Sequence, residues 1–342
     1  MSNTTIHITN YKDDFVNLNG QRQTRISKID IARGLLSIGK THWTQYLRDP
    51  RRTLVDFLHY WTGLDRFINE NPDLTITPDY AALDLSDKIL KSYQIGMGVS
   101  KIVAERVLKV PYLQHVDSLV KQGTVALTTG TNERGDMVGL DKTRSWHVME
   151  AKGRTNEPSE ADKKKAKAQA EKITSISGVS PATKSYCITH INEHFSEILL
   201  NDPDDTPIKK VELQIKPDEF IKAYYDKILG GFYEQKEDVT LTFIDQKIDF
   251  LLFRIFKEQS YIYLGVERRI ISDLRQGSIG FTETLLSQNS VFDSFAELNI
   301  DTLSIGNDGI LLFQDNENIL TNRIAVANTG LPQVGLKWVI ES

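Results

Sequence analysis

From Thr124 onward the sequence leaves helical spacing for strand alternation, and the succession that follows limits the fold more than any other feature of the chain. Residues 125–129 and 136–141 read as strands, 142–144 as a turn and 146–152 as the returning strand. A helix rich in lysine and alanine is predicted from about Ser159 to Ser175. Ser159 and Asp162 suit its first turn, and Gly178 and Pro181 close it. Residues 184–191 are then a further strand. A hairpin, a helix and a strand in that order are read as an α/β core.

The flanks read differently. Residues 1–95 look mainly helical after a loose start, with Trp43, Tyr46, Leu47, Leu54, Phe57, Leu58 and Trp61 at helical spacing. A strong helix follows over 99–109 and ends before Pro111, and residues 201–205 look like a boundary loop. Beyond it, 218–229 is helical, Gly230-Gly231 breaks the helix, and Asn307-Asp308-Gly309 predicts a tight hairpin. At 342 residues the chain is long enough for two or three domains. The expected division is a helical region at 1–95, an α/β core at 96–205 and a mixed α+β domain at 206–342.

Within the core, Glu150-Ala151-Lys152 is the candidate for chemistry. The tripeptide alone proves nothing, since Glu234-Gln235-Lys236 repeats it without comparable context. Strand alternation puts Glu150 and Lys152 on one face and Met149 and Ala151 on the other. If the turn centres on Thr143, residues 136 and 150 lie seven positions either side of it and are paired. Paired residues project to the same face, about 5 Å apart. Asp136 and Glu150 therefore converge, with Lys152 adjacent. The rival acid, Asp141, lies roughly 17 Å along the strand and faces the other way. A slip of one residue would overturn this assignment.

Two carboxylates that meet repel each other unless a cation or a shared proton intervenes. A hard divalent ion such as Mg²⁺, or Mn²⁺ in its place, suits them, with the Ala151 carbonyl, water and a substrate phosphate completing the shell. Such an ion would polarise a phosphoryl oxygen and acidify a bound water. Lys152 could orient that water or neutralise charge developing on phosphorus.

Gly135-Asp136, the hairpin and Val148-Met-Glu-Ala-Lys-Gly153 together resemble the PD-(D/E)xK nuclease superfamily, with Gly135 standing where proline is usual. The resemblance covers roughly residues 95–200. The stretch from Gly98 to Arg154 is also similar to a group of poorly characterised bacterial proteins bearing that core. It implies a restriction-endonuclease-like mixed sheet flanked by helices, and Mg²⁺-dependent hydrolysis of phosphodiester bonds in DNA, in host defence or repair. Asp136 and Glu150 would be metal ligands. Gln169 resembles a glutamine that several families place near the site, and an exposed helix residue is the equal alternative. Lys165 and Lys172 share its helix face. Glu105 matches an acid that some members add to the metal shell, although a surface charge is the plainer reading. Cutting both strands of a duplex would favour a symmetric dimer, and the flanking regions would suit a partner protein. The alternative function is a nucleic-acid-binding or interaction module of this fold whose activity is lost or conditional.

Charge and composition bound these expectations. A net charge of −5 argues against a protein that coats nucleic acid through charge alone, but not against a local basic groove. Lys164, Lys165 and Lys167 are the candidate DNA contacts, with Arg268, Arg269 and Arg275 as an alternative run. The polar start lacks a signal pattern, no apolar run is long enough to span a membrane, and Cys187 is the single cysteine, so a cytoplasmic chain without disulfides is expected. Gly34 to Thr41 formally matches a phosphate-binding loop, but Leu35, Leu36 and Ile38 read better as a helix face. His190 to His194 matches a zinc-protease pattern that works only on a helix, and here reads as exposed turn histidines. His147 falls on the strand face opposite Glu150.

Overall fold

The computed structural model describes residues 2–38, 60–70, 73–127, 135–203, 211–229, 236–243, 246–257, 261–276, 302–315, 324–327 and 336–340. Two compact units divide the chain, Met1–Gly231 and Phe232–Ser342.

The first unit is α/β, built on a seven-stranded mixed sheet flanked by helices. Its strands are β1 (Ser2–Thr9), β2 (Gly20–Ile26), β3 (Tyr112–His115), β4 (Met137–Leu140), β5 (Trp146–Arg154), β6 (Thr183–Ile191) and β7 (Ser196–Asn201). They lie in the order β2-β1-β7-β6-β5-β4-β3. The β1–β7 and β5–β6 pairs are parallel and the others antiparallel. Every residue of β6 is buried, as a central strand covered on both faces requires.

Helices α1 (Lys28–Ile38), α2 (Leu85–Arg106), α3 (Glu160–Ala170) and α4 (Pro217–Leu229) belong to the same unit. Asp84 caps α2 by accepting from the Asp87 N–H at 2.9 Å. Ser159 and Asp162 form a reciprocal capping box at the start of α3, as the sequence predicts. Ala166 and Ala170 of α3 pack on Tyr186 and Ile188 of β6. A small sheet pairs Ile173–Ile176 and Ala126–Leu127 with Val211–Gln214.

Three expectations shift. The first 95 residues are not a separate helical region. Thr4, Ile6 and Ile8 turn inward as β1, an alternation that two apolar residues among eight barely announce, and a boundary at 95 would cut α2. The lysine-rich helix stops at Ala170 because Ile173 and Ile176 are buried in the small sheet. The segment after 205 returns to this unit, where Phe220 packs edge-on to Trp146 at 5.1 Å and accepts from Gln114 Nε2 at 2.8 Å. The aromatic residues predicted as helix between Trp43 and Leu58, and Arg48 to Arg52 with them, lie outside the described residues.

The second unit holds a separate seven-stranded antiparallel sheet and the helix Arg268–Gln276. Its hairpin turns at Gly306–Gly309, where Gly309 has φ 71°. Among the described residues no helix is long and apolar enough to cross a membrane.

Candidate active site

The hairpin of β4 and β5 sets the site. Met137 pairs with Met149, Val138 with Val148, Gly139 with His147 and Leu140 with Trp146. Extending that register by one residue sets Asp136 opposite Glu150, as the turn centred on Thr143 predicts. Asp141 is the staple of the turn. One of its oxygens accepts at 2.8 Å from the Thr143 N–H and hydroxyl and from the Ser145 N–H, and the other meets His147 Nε2 at 3.2 Å. Burial would raise the Asp141 carboxyl, but the His147 and turn hydrogen bonds outweigh it and hold the group below its ordinary value. His147 is buried, bonds Thr183 through Nδ1 and stays out of the site.

Asp136 and Glu150 are tied through the backbone. The Asp136 N–H donates to Glu150 Oε2 at 3.0 Å, and the Ala151 N–H donates to Asp136 Oδ2 at 3.1 Å. The N–H and C=O of one residue point to the same side of an antiparallel strand, so the Ala151 carbonyl also faces the Asp136 side. Lys152 Nζ bonds Glu150 Oε1. Glu150 is fully buried, whereas Asp136 and Lys152 are half-buried. Burial, reinforced by Asp136 and opposed by Lys152, pushes the Glu150 carboxyl up to about 8.

The parallel register pairs Glu150 with Tyr186 and Lys152 with Ile188. Those partners carry α3, so the acid and the lysine project on the α3 face of the sheet. Gln169 lies on α3, half-buried, and its Oε1 is buried with no hydrogen-bond partner among the described residues. Its carbonyl oxygen lies 3.5 Å from where a Gly135 Cβ would be, and Val148 Cγ1 lies 3.0 Å away. A Cβ at 135 would be tight only against the Val148 side chain and in ordinary contact with the Gln169 main-chain oxygen.

Helix α2 closes the other side. A Cβ on Gly153 would fall 1.7 Å from the Ser92 carbonyl oxygen, and one on Gly96 would fall 2.6 Å from the Gly153 nitrogen. The two backbones touch directly after Lys152, and this seats Tyr93 beside the acids. Tyr93 Oη meets His115 Nε2 at 3.2 Å, while His115 Nδ1 accepts the Asp117 N–H at 3.1 Å. A neutral His115 therefore carries its proton on Nε2 and donates to Tyr93. Burial, then the charges of Asp136, Glu150 and Asp117, hold the Tyr93 phenol above its usual value. Sequence reasoning missed Tyr93 and His115. The available signal was Gly96 and Gly98 inside a helix, where glycine is costly unless another backbone approaches.

A cleft of ≈ 620 Å³ opens beside the site, lined by α2, by Ala151 to Asn156 and by Lys165. Of the predicted DNA contacts, Lys165 is exposed at this cleft, Lys164 is exposed away from its lining, and Lys167 lies 3.6 Å from Glu171. Arg269 bonds Glu267 in the second unit, and the Arg275 side chain lies outside the described residues.

Other candidates take different roles. Glu105 is not a surface charge. It is fully buried, held by Arg33 at 3.1 and 3.2 Å and by Lys101 at 3.0 Å. Gly34, the first glycine of the loop-like motif, lies inside α1, where its Cβ would fall 2.7 Å from the Gly98 carbonyl oxygen of α2; Lys40 and Thr41 lie outside the described residues. His190 lies within β6, buried against Phe195 at 5.3 Å instead of lying exposed, and Asn192 Oδ1 accepts from the His194 N–H in the turn that follows. Cys187 is buried as expected, its thiol pushed up to about 11 by burial.

Among the described residues, no group of three or more His, Cys, Asp or Glu side chains gathers as a metal cluster. Mg²⁺ does not need one, since it takes one or two carboxylates and completes its octahedron with water and phosphate. The Asp136 and Glu150 carboxylates, joined through the backbone, and the buried Gln169 Oε1 on the neighbouring helix are oxygen donors of the kind Mg²⁺ takes. No protein-family model, no curated protein and no solved structure matches this chain.

Proposed function

We propose that this chain is a metal-dependent nuclease of the PD-(D/E)xK type that hydrolyses phosphodiester bonds in DNA. The observation that carries the reading is the convergence of Asp136, Glu150 and Lys152 on one sheet face beside an open cleft. The mixed sheet with helices on its faces supports a restriction-endonuclease-like core. Mg²⁺ bound by Asp136 and Glu150, with the Ala151 carbonyl, would supply Lewis acidity and an acidified water.

The chain's own residues divide the remaining work. The Asp136 carboxylate is held by the Ala151 N–H, and the Asp136 backbone N–H is held by Glu150. Lys152 donates a hydrogen bond to Glu150 in the resting site and would turn to the phosphate or the attacking water as charge builds there. Tyr93, braced by His115, presents a phenolic proton beside the site.

The test is a cleavage panel of single- and double-stranded DNA with Mg²⁺ or Mn²⁺, comparing the wild type with Glu150→Gln. Metal-dependent cleavage that the variant lacks supports the reading. No cleavage in any condition, with nucleic acid still bound, would replace it with the binding module.

A further inference from the structure

One face of α2 is exposed. Leu85 is 74 % exposed, Ile89 61 % and Tyr93 38 %, and these three at i, i+4 and i+8 form a row along the wall of the cleft beside Lys152. Lys88 and Lys165 line the same cleft. Arg154, also at the rim, is committed to Asp162, which accepts from its Nη2 at 2.7 Å and its Nε at 3.1 Å. The apolar and aromatic row and Lys88, all on α2, therefore line with Lys165 a space of ≈ 620 Å³ that reaches Lys152.

We infer that this cleft holds an unpaired strand of DNA, with base faces against Leu85, Ile89 and Tyr93 and phosphates toward Lys88 and Lys165; the inference rests on the nuclease reading above. Charge complementarity selects a polyanion over an apolar peptide. The row selects an unpaired strand over a duplex. A duplex offers a protein its phosphates and base edges and hides base faces within the stack, so an aromatic and aliphatic row is useful only where bases are unstacked. Successive members of the row are about 6 Å apart along the helix, whereas stacked bases follow at about 3.4 Å. Neighbouring bases on this row must be pulled apart. The cleft volume lies within the usual range for one small ligand, roughly 300–1,000 Å³, which suits one or two extruded nucleotides.

The experiment uses the full chain without metal, so that binding is read apart from cleavage. Fluorescence anisotropy compares a labelled oligothymidine with a duplex of equal length. The single strand should bind more tightly by about tenfold or more, the size of one stacking contact. Leu85→Asp combined with Ile89→Asp, both at exposed positions, should keep the wild-type circular dichroism and melting temperature and lose about tenfold in single-strand affinity. Lys88→Ala with Lys165→Ala should flatten the log–log salt dependence by about 0.7 for each lysine removed. Equal or tighter duplex binding, or unchanged single-strand affinity in the aspartate variant, overturns the inference. If neither nucleic acid binds, the row is a protein-docking face and the inference falls. A separate arm adds Mg²⁺ or Mn²⁺ and compares the wild type with Glu150→Gln. Cleavage of duplex alone leaves the nuclease reading standing and removes this inference, whereas single-strand binding through the row without cleavage does the reverse.

Discussion

The Ser92 carbonyl oxygen sits 1.7 Å from the point where a Cβ of Gly153 would be, so α2 and β5 meet backbone to backbone at the residue after Lys152. Nothing at that distance can give way by rotating a side chain. Gly153→Ala must move the helix, the strand or both. Overpacking of this kind costs about 1–3 kcal/mol and occasionally more. We expect a clear drop in melting temperature together with loss of cleavage, because the same contact seats Tyr93. A wild-type melting curve in Gly153→Ala would show that the two backbones do not touch.

The acid pair and its lysine should behave as one unit. Asp136→Asn, Glu150→Gln and Lys152→Ala are each expected to abolish metal-dependent cleavage, with the double variants no worse than the singles. Far-ultraviolet circular dichroism should stay unchanged. Full activity in Asp136→Asn would mean that another acid holds the metal, and Asp141, already spent on the turn, would not be the replacement.

This pairing was legible in the sequence because it is local. A turn centred on Thr143 and strand alternation fix which residues oppose each other, and the observed Met137–Met149 register agrees with that count. The same arithmetic separated Asp141 and His147 from the site. The rest is contributed from a distance. Tyr93 comes from α2 and His115 from the end of β3, and only the packing of α2 on β5 brings them to the acids. The start of the chain was misread for a related reason. Strand β1 owes its place to pairing with β7, nearly two hundred positions later, and its polar composition carries little alternation of its own. Glu105 was misread because ion pairs of buried groups leave no periodic trace in the sequence.

Buried charge gives a prediction about stability. Glu105 is fully buried between Arg33 and Lys101. Removing one member of such a group leaves an uncompensated charge in the interior, at a cost of about 3–5 kcal/mol. Glu105→Ala should therefore lower the urea midpoint far more than Glu160→Ala, which breaks only the exposed pair with Lys163. Comparable midpoints in the two variants would mean that the buried network is open to water.

Glu150 sets a pH dependence in the metal-free protein. Burial first, and then Asp136, push its carboxyl up to about 8 from an ordinary 4.5, against the pull of Lys152. Between those values the native state keeps a proton that the unfolded chain has released, so the unfolded state binds fewer protons and stability falls as pH rises. The contribution is fully present below about 4.5 and gone above about 8. Glu150→Gln should flatten that window in a series of denaturant melts. Because a metal takes the deprotonated carboxylate, added Mg²⁺ should raise the wild-type melting temperature more at the upper end of the window than at the lower. A wild-type profile as flat as that of the variant would place the proton elsewhere.

Tyr93 yields the most discriminating prediction. Hydrolysis of a phosphodiester expels an alkoxide, which needs a proton as the bond to phosphorus breaks. The Tyr93 phenol, held above its usual value by burial and by the two acids, keeps its proton at neutral pH. His115, whose Nδ1 is occupied by the Asp117 N–H, donates through Nε2 to the same oxygen and would stabilise the phenolate left behind. Tyr93→Phe preserves the ring and removes the proton. We expect kcat on a DNA strand to fall by about 10²-fold or more, the usual size of general-acid assistance, with KM nearly unchanged. A nucleotide ester with a p-nitrophenolate leaving group requires no protonation, and on that substrate Tyr93→Phe should approach the wild type. An equal loss on both substrates would reduce Tyr93 to a packing residue and leave the leaving group to be protonated by water.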